Sequence, residues 1–149
     1  MGEASSSGTE RETERDTERE TVTRTHRLKR AATVLLGVSM MAIGVTHFLD
    51  PEPFVRIVPD YLPAPLALVY VSGVFEVLGG VGVLLPQTRR AASWGLVALF
   101  VAVFPANVHM ALNEIQLVPG GDLPVWAMWA RLPFQAVFIA WAVWVGKDA

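Results

Sequence analysis

The chain has 149 residues and a mass of 16.3 kDa, with 52% hydrophobic residues, 17% charged residues and a formal net charge of −2. Soluble domains usually carry about a quarter charged residues, and 14 of the 26 charged residues here lie in the first 30 positions. This distribution excludes a nucleic-acid binder with a basic patch, and the absence of cysteine excludes a disulfide scaffold and thiol chemistry. The composition indicates a small all-α integral membrane protein.

Residues 1–30 form a charged segment of low complexity, in which a tetrad of the type Thr-Glu-Arg-Glu recurs from Thr9 to Glu20. The segment has no apolar stripe to bury, so it cannot offset the entropy lost on ordering. We therefore predict a disordered cytosolic tail, although the repeat also aligns Glu10, Glu14 and Glu18 as one column of a charged helix. The long charged region and the lack of a small-residue cleavage site do not fit a secretory signal peptide.

Residues 31–149 form the predicted transmembrane domain, in which charges delimit four apolar stretches at 31–49, 66–85, 91–112 and 125–145. Each stretch is close to the ~20 residues that a helix needs to cross a hydrocarbon core of ~30 Å. Their length and their lack of alternation exclude strands. The short turn 86–90 makes the second and third helices antiparallel neighbours. The sequence therefore predicts an antiparallel bundle of four transmembrane helices.

The basic residues of the connections predict the orientation of this bundle. On one side, the connections contain a single basic residue, Arg56. On the other side, the segment before the first stretch, the turn 86–90 and the segment after the fourth stretch contain seven: Arg24, Arg27, Lys29, Arg30, Arg89, Arg90 and Lys147. By the positive-inside rule, the N-terminus and the C-terminus both face the cytoplasm. We expect the protein in the cytoplasmic membrane of a bacterial or archaeal cell, with the lipid bilayer as its surroundings.

The segment 50–65, on the predicted outer side, contains five of the ten prolines, and apolar residues lie between them. It is too apolar for a solvated loop, which favours an interfacial segment resting on the outer face of the bundle. The alternative is a prolyl loop that only joins two helices.

Few strongly polar residues interrupt the apolar stretches, and an ionisable group at a helix centre costs about 2.5–3.5 kcal/mol or more in a membrane. These residues are therefore the candidates for a ligand pocket. At a rise of ~1.5 Å per residue, all of them lie at the midplane or on the outer side. The candidates are Glu76, Arg131, Gln135, Asn107, His47 and His109.

Glu76 and Arg131 are the only opposite formal charges inside the predicted spans, so we expect them to pair. One hypothesis is a structural scaffold in which this pair only locks two helices together. The other is a polar pocket, open outward, that binds the head of an amphipathic molecule such as a quinone. Glu76 would then exchange a proton, and His47, Asn107 or Gln135 would hydrogen-bond an oxygen of the ligand.

Other functions fit the residues less well. A b-type haem held by His47 and His109 is less favoured, because two isolated histidines are a weak signal. No dedicated metal site is expected. A carrier component is a further alternative, although four helices are few for a transporter acting alone. Nucleophile–base arrangements and phosphate loops are absent from the sequence, so it contains no independent catalytic motif. If the protein is linked to a redox system, we expect a subunit rather than a free-standing enzyme.

Four runs carry a resemblance to a known family: GVTHFLDPEPFVRIVPDYLP, SGVFEVLGGVGVLLPQTRRAA, VFPANVHM and RLPFQ. They resemble the DoxX-like family of small four-helix bacterial and archaeal membrane proteins, over about residues 31–145. His47 stands where the better-known members have a lysine, and Asn107 and Arg131 suggest a less characterised branch. The resemblance implies the four-helix fold and an accessory role beside a redox partner protein, since the family's namesakes are membrane subunits of thiosulfate:quinone oxidoreductase.

Overall fold

A computed structural model of the chain describes residues 3–117, 120–121 and 123–147, with side chains from residue 15 onward; the first two residues of the predicted tail lie outside these ranges. Five helices follow in order: α1 (Glu3–Leu49), α2 (Glu52–Ile57), α3 (Pro65–Leu84), α4 (Arg89–Leu112) and α5 (Val125–Gly146). The described ranges contain no strand. The four long helices are long and apolar enough to cross a membrane, which confirms the all-helical prediction. Apart from the start of α1, their bounds lie within two residues of the predicted ones.

The start of α1 differs from the prediction, because the helix runs without a break from Glu3 through the charged segment into the first apolar stretch. Its 47 residues make it about 70 Å long. Glu and Arg are good helix formers, and the hydroxyls of Thr21, Thr23 and Thr25 each donate to the carbonyl four residues earlier. Residues 15–28 are exposed, so local interactions rather than packing form this part of the helix.

The long helices form two closely packed pairs, α1 with α3 and α4 with α5, while the contact between α3 and α4 is smaller. Glycines let the backbones of α1 and α3 touch: Gly37 faces Gly80, and Gly44 faces Gly73. A Cβ on Gly80 would lie 2.6 Å from the carbonyl oxygen of Gly37. The glycines therefore set the register of this pair. Since α3 contacts α1 and α4, and α5 also contacts α4 and α1, α3 and α5 occupy opposite corners of the bundle.

A tight turn joins α3 to α4 at one end of the bundle, which we call the turn end; the opposite end, which carries α2, is the α2 end. The Thr88 hydroxyl donates to the Gly82 carbonyl at 2.9 Å, and Arg89 Nε donates to the Val83 carbonyl at 2.9 Å. These bonds satisfy carbonyls that the end of a helix leaves without partners. Thr88 and Arg89 are therefore structural residues of the turn.

Two apolar clusters hold the helices together at different levels. The cluster at the turn end draws on all four long helices and comprises Leu36, Met40, Val83, Leu96, Phe100, Ala142 and Val145. The cluster at the α2 end joins α2 to α4 and α5 and comprises Ile57, Met110, Ala111 and Met128. Between these clusters the two helix pairs enclose a cavity.

The segment between α1 and α3 folds onto the end of the bundle, as the sequence predicts. Ile57 of α2 is buried, and its carbonyl accepts a hydrogen bond from His109 Nδ1 at 3.2 Å. The ring of Phe54 stacks on His47 with a centroid separation of 3.8 Å. The segment is thus held on α1 through Phe54 and on α4 through His109, and it covers the cavity at the α2 end.

Candidate functional site

The cavity between the two helix pairs has a volume of about 660 Å³, and most of its lining residues are apolar. Five of the six residues predicted from the sequence line it: His47, Glu76, Asn107, Arg131 and Gln135. They come from all four long helices, which makes this cavity the candidate functional site. The cover at the α2 end consists of Phe54, Ile57, Val58, Pro59 and Leu62.

Glu76 is the most unusual residue of the cavity. Its exposed fraction is only 9%, and its Oε2 atom is buried without a hydrogen-bond partner. Oε2 lies 3.4 Å from His47 Nδ1, but that nitrogen lies 2.9 Å from the Ile43 carbonyl and donates its proton there. The histidine therefore touches the carboxyl group without hydrogen-bonding it. Because buried polar atoms are normally paired, Oε2 is the atom that a ligand would satisfy.

The predicted ion pair between Glu76 and Arg131 is wrong. Among the residues that the structure describes, the one basic group within 4 Å of the Glu76 carboxylate is His47. The reason is the helix arrangement: α3 packs on α1 and α4, so Glu76 and Arg131 project from opposite corners of the bundle. His47 reaches Glu76 because Cα–Cβ bonds lean toward the N-terminus of each helix, so side chains on the antiparallel α1 and α3 lean toward each other.

Arg131 is exposed at the cavity wall, and within the described ranges it forms no ion pair. A guanidinium group carries five N–H donors and no acceptor. It therefore offers the cavity a fixed positive charge that suits a carbonyl, carboxylate or other oxygen acceptor.

Asn107 and Gln135 join α4 to α5 across the cavity wall. Asn107 Nδ2 donates to Gln135 Oε1 at 2.9 Å, and Gln135 Nε2 donates to the Phe100 carbonyl. Both ends of the Gln135 amide are thus satisfied within the protein. Of the two amides predicted to bind a ligand, Gln135 is a brace between helices, and Asn107 keeps its oxygen and its second N–H for another partner.

The structure separates the two histidines that the haem alternative requires. His47 lines the cavity, whereas His109 is not among the lining residues and instead bonds the Ile57 carbonyl. An ideal helix places Asn107 and His109 about 200° apart. Accordingly, Asn107 bonds Gln135, whereas His109 bonds the Ile57 carbonyl. A search of the described residues finds no group of three or more His, Cys, Asp or Glu side chains that could hold a metal ion.

Sequence reasoning missed two residues of the site. Phe54 stacks on His47 and forms part of the cover, and the proline-bounded apolar segment around it is the signal that could have indicated this role. Ser72 lines the cavity one helical turn from Glu76, with its hydroxyl donating to the Val69 carbonyl at 2.8 Å. Its i, i+4 spacing from Glu76 is visible in the sequence.

What the arrangement can do chemically follows from these contacts. The cavity offers N–H donors on Arg131 and an unpartnered carboxyl oxygen on Glu76, within walls that are otherwise mostly apolar. Small-molecule sites have this character, with a few polar groups fixing a ligand in an apolar pocket. The fold and the site define a class of protein: a bundle of four long helices of membrane-spanning length, with a mostly apolar cavity that a few polar side chains line.

A family model described as "Domain of unknown function (DUF8561)" matches residues 36–146, and the chain belongs to this family. The matched range contains most of the apolar part of α1, all of the other helices and every residue that lines the cavity. No curated protein and no solved structure matches the chain. The family match does not extend to the DoxX-like family, so that resemblance stays a prediction.

Proposed function

We propose that this protein is a multi-pass membrane protein whose cavity binds the oxygen-bearing head of an amphipathic molecule such as a quinone. In this proposal it serves a membrane redox system as an accessory component. The observation that carries the proposal is Glu76 Oε2, a buried oxygen without a hydrogen-bond partner in the wall of a mostly apolar cavity of about 660 Å³.

Insertion into a bilayer is supported by the outward-facing apolar surface. Only 22–33% of the residues in the apolar window of each long helix are buried. Large apolar side chains that do not line the cavity, such as Leu78, Trp94, Val101 and Val137, are exposed along these helices. Soluble monomers rarely expose apolar patches beyond a few hundred Å², whereas lipid is the natural surrounding for such a surface.

A cytoplasmic position of both termini is supported by the basic residues at the turn end, and the absence of cysteine makes this testable without a background signal. Thr25→Cys in the exposed part of α1 and Asp60→Cys at the α2 end would be labelled in whole cells with a membrane-impermeant maleimide. We expect labelling of D60C alone, and labelling of T25C only after lysis. The reverse pattern would invert the topology.

A quinone suits the polar groups because its ring carries oxygens on both sides and is otherwise apolar. Arg131 would donate to one oxygen, since it has N–H donors and no acid partner among the described residues. Glu76 would accept a hydrogen bond from a quinol hydroxyl as a carboxylate, or donate one to a quinone carbonyl as an acid. A carboxyl group in this place can therefore exchange a proton with the ligand.

The accessory role rests on the resemblance to the DoxX-like family and on the lack of a nucleophile or other catalytic motif in the sequence. An accessory component would hold or pass on the quinone while a partner protein performs electron transfer. In membranes that lack this chain, we expect slower quinone reduction by such a partner; an unchanged rate with every quinone-reducing substrate would remove this part of the proposal.

Quinone binding to the purified protein in lipid nanodiscs tests the main proposal. The ligand is a benzoquinone analogue, and the variants are Glu76→Leu and, as a matched control outside the cavity, Glu114→Leu. Leucine neither donates nor accepts a hydrogen bond, and loss of a hydrogen bond to a charged or strongly polar group costs about 1.5–3 kcal/mol. We therefore expect E76L to weaken binding by tenfold or more and E114L to leave it unchanged. If the wild type binds no quinone and E76L changes only thermal stability, the proposed binding function fails and Glu76 has a structural role.

A further inference from the structure

The cavity is closed at both ends of the bundle but not along its sides. The apolar cluster that contains Leu36 and Val145 fills the turn end, and α2 covers the α2 end. The two helix pairs meet mainly through that cluster at the turn end, and α1 and α5 have few contacts with each other. A side chain that lines the cavity and keeps a large exposed fraction indicates a place where the wall between two helices is open.

One such opening, the α3–α4 mouth, has only apolar residues among its exposed lining residues. Phe75 lines the cavity although its exposed fraction is 56%, and the other exposed lining residues on this side are Leu68, Val71 and Ala102. Nearer the turn end the same two helices are in tight contact, since a Cβ on Gly79 would lie 2.4 Å from the Leu96 side chain. The mouth therefore opens where α3 and α4 separate toward the α2 end.

The second opening, the α1–α5 mouth, carries a charge. Its exposed lining residues are Ile43, Phe134 and Arg131. The cavity thus has apolar side chains at the α3–α4 mouth, a guanidinium group at the α1–α5 mouth, and the unpartnered Glu76 oxygen in its wall.

From this asymmetry we infer that an amphipathic ligand lies across the bundle, with its head toward Glu76 and Arg131 and its hydrocarbon chain leaving through the α3–α4 mouth. The inference rests on the proposed function and adds the orientation and path of the ligand's chain. The exposed lining residues of the α3–α4 mouth are apolar and the Ser72 hydroxyl beside them already bonds the Val69 carbonyl, so a chain that passes there into lipid buries no polar group without a partner. The opposite orientation would thread the chain past Arg131 and leave the head oxygens in an apolar mouth.

The experiment compares decylubiquinone with the same benzoquinone ring lacking the chain, each titrated into phosphatidylcholine nanodiscs that contain the protein. Ala102→Trp places a large ring in the α3–α4 mouth. Ala98→Trp is the matched control, because Ala98 is an exposed alanine one turn earlier on the same helix that does not line the cavity. Overpacking of this kind lowers affinity by roughly tenfold or more when the ligand needs the space.

We expect A102W to weaken decylubiquinone binding at least about tenfold, to leave the chainless ring within about twofold of the wild type, and A98W to behave as the wild type with both. Unchanged binding of decylubiquinone to A102W would overturn the inference, and so would an equal loss for both ligands. If the wild type binds neither ligand, the proposed function fails first. A bound phospholipid that decylubiquinone does not displace in native mass spectrometry would also overturn it.

A second measurement does not depend on the folding of a variant. A decylubiquinone analogue with a diazirine at the end of its chain is photolysed with the wild-type protein, and the labelled peptides are identified. Labels on Leu68, Val71 or Ala102 are expected. Labels confined to Ile43 and Phe134 would place the chain in the α1–α5 mouth and overturn the inference.

Discussion

The backbone contact between Gly80 of α3 and Gly37 of α1 predicts a specific effect of adding one methyl group. In Gly80→Ala the new Cβ lies 2.6 Å from the Gly37 carbonyl oxygen and 3.0 Å from the Met41 backbone nitrogen. Ordinary contact begins at 3.4 Å, so α1 and α3 must move apart by about 0.8 Å. The third close atom, Met41 Cγ at 2.8 Å, belongs to a flexible side chain, but the two backbone atoms cannot rotate out of the way.

A matched control separates this clash from the intrinsic effect of alanine. Gly95 also lies inside a long helix, but a Cβ there has nothing within 4 Å. Replacing glycine by alanine in a helix interior gains about 1 kcal/mol at either position, whereas overpacking costs about 1–3 kcal/mol at Gly80 alone. The free energy of unfolding of Gly80→Ala should therefore be lower than that of Gly95→Ala by about 1–3 kcal/mol.

Thermal unfolding in detergent, followed by far-ultraviolet circular dichroism, gives the order of stabilities. We expect Gly95→Ala to be at least as stable as the wild type and Gly80→Ala to be the least stable of the three. If Gly80→Ala matches Gly95→Ala, then α1 and α3 are not in backbone contact, and the placement of His47 beside Glu76 loses its basis.

Three further predictions concern the polar residues. Gln135→Leu leaves the Asn107 amide without its partner, so the free energy of unfolding should fall by about 1–3 kcal/mol. A decrease below about 0.5 kcal/mol would contradict the role of Gln135 as a brace between α4 and α5. His109→Phe removes the bond to the α2 segment, so hydrogen exchange at the backbone amides of 54–57 should accelerate about fivefold to tenfold while the long helices are unaffected; unchanged exchange would refute this role. A double-mutant cycle of Glu76→Gln and Arg131→Gln should give a coupling energy below about 0.5 kcal/mol, whereas a salt bridge would give a larger one.

The helices were predictable because charge and hydrophobicity mark their ends directly. Residues 66–85 were predicted from where charges stop, and the structure has α3 at Pro65–Leu84. The helical conformation of the charged tail was not predicted, because the lack of an apolar face says nothing about local helix propensity. In the structure the tail continues α1 from Glu3, with the threonine hydroxyls bonded along the helix.

The set of site residues was also largely predictable, but their partners were not. Depth was counted from the end of each apolar stretch, which placed Glu76 near the midplane and His47 near the outer end. The structure sets the register of α1 against α3 by glycine contacts, such as Gly44 against Gly73, and brings the two side chains within 3.4 Å. The information about this register lay in glycines seven residues apart on each helix, Gly37 and Gly44 on α1 and Gly73 and Gly80 on α3. Opposite charge instead favoured Arg131 as the partner of Glu76, and Arg131 lies on α5 at the opposite corner of the bundle.

The division of the polar residues into two groups is the strongest argument for a ligand. Gln135 has both ends of its amide bonded within the protein, and His109 and His47 each bond a backbone carbonyl. In a membrane an unsatisfied polar group costs several kcal/mol, and these three residues avoid that cost. Two buried atoms away from the cavity, Ser93 Oγ and Trp141 Nε1, also lack a hydrogen-bond partner, but neither residue lines the cavity. Glu76 Oε2 and Arg131 are left without such partners although they lie in the same cavity. A scaffold would gain stability by replacing them with apolar residues, so their presence is better explained by a molecule that satisfies both.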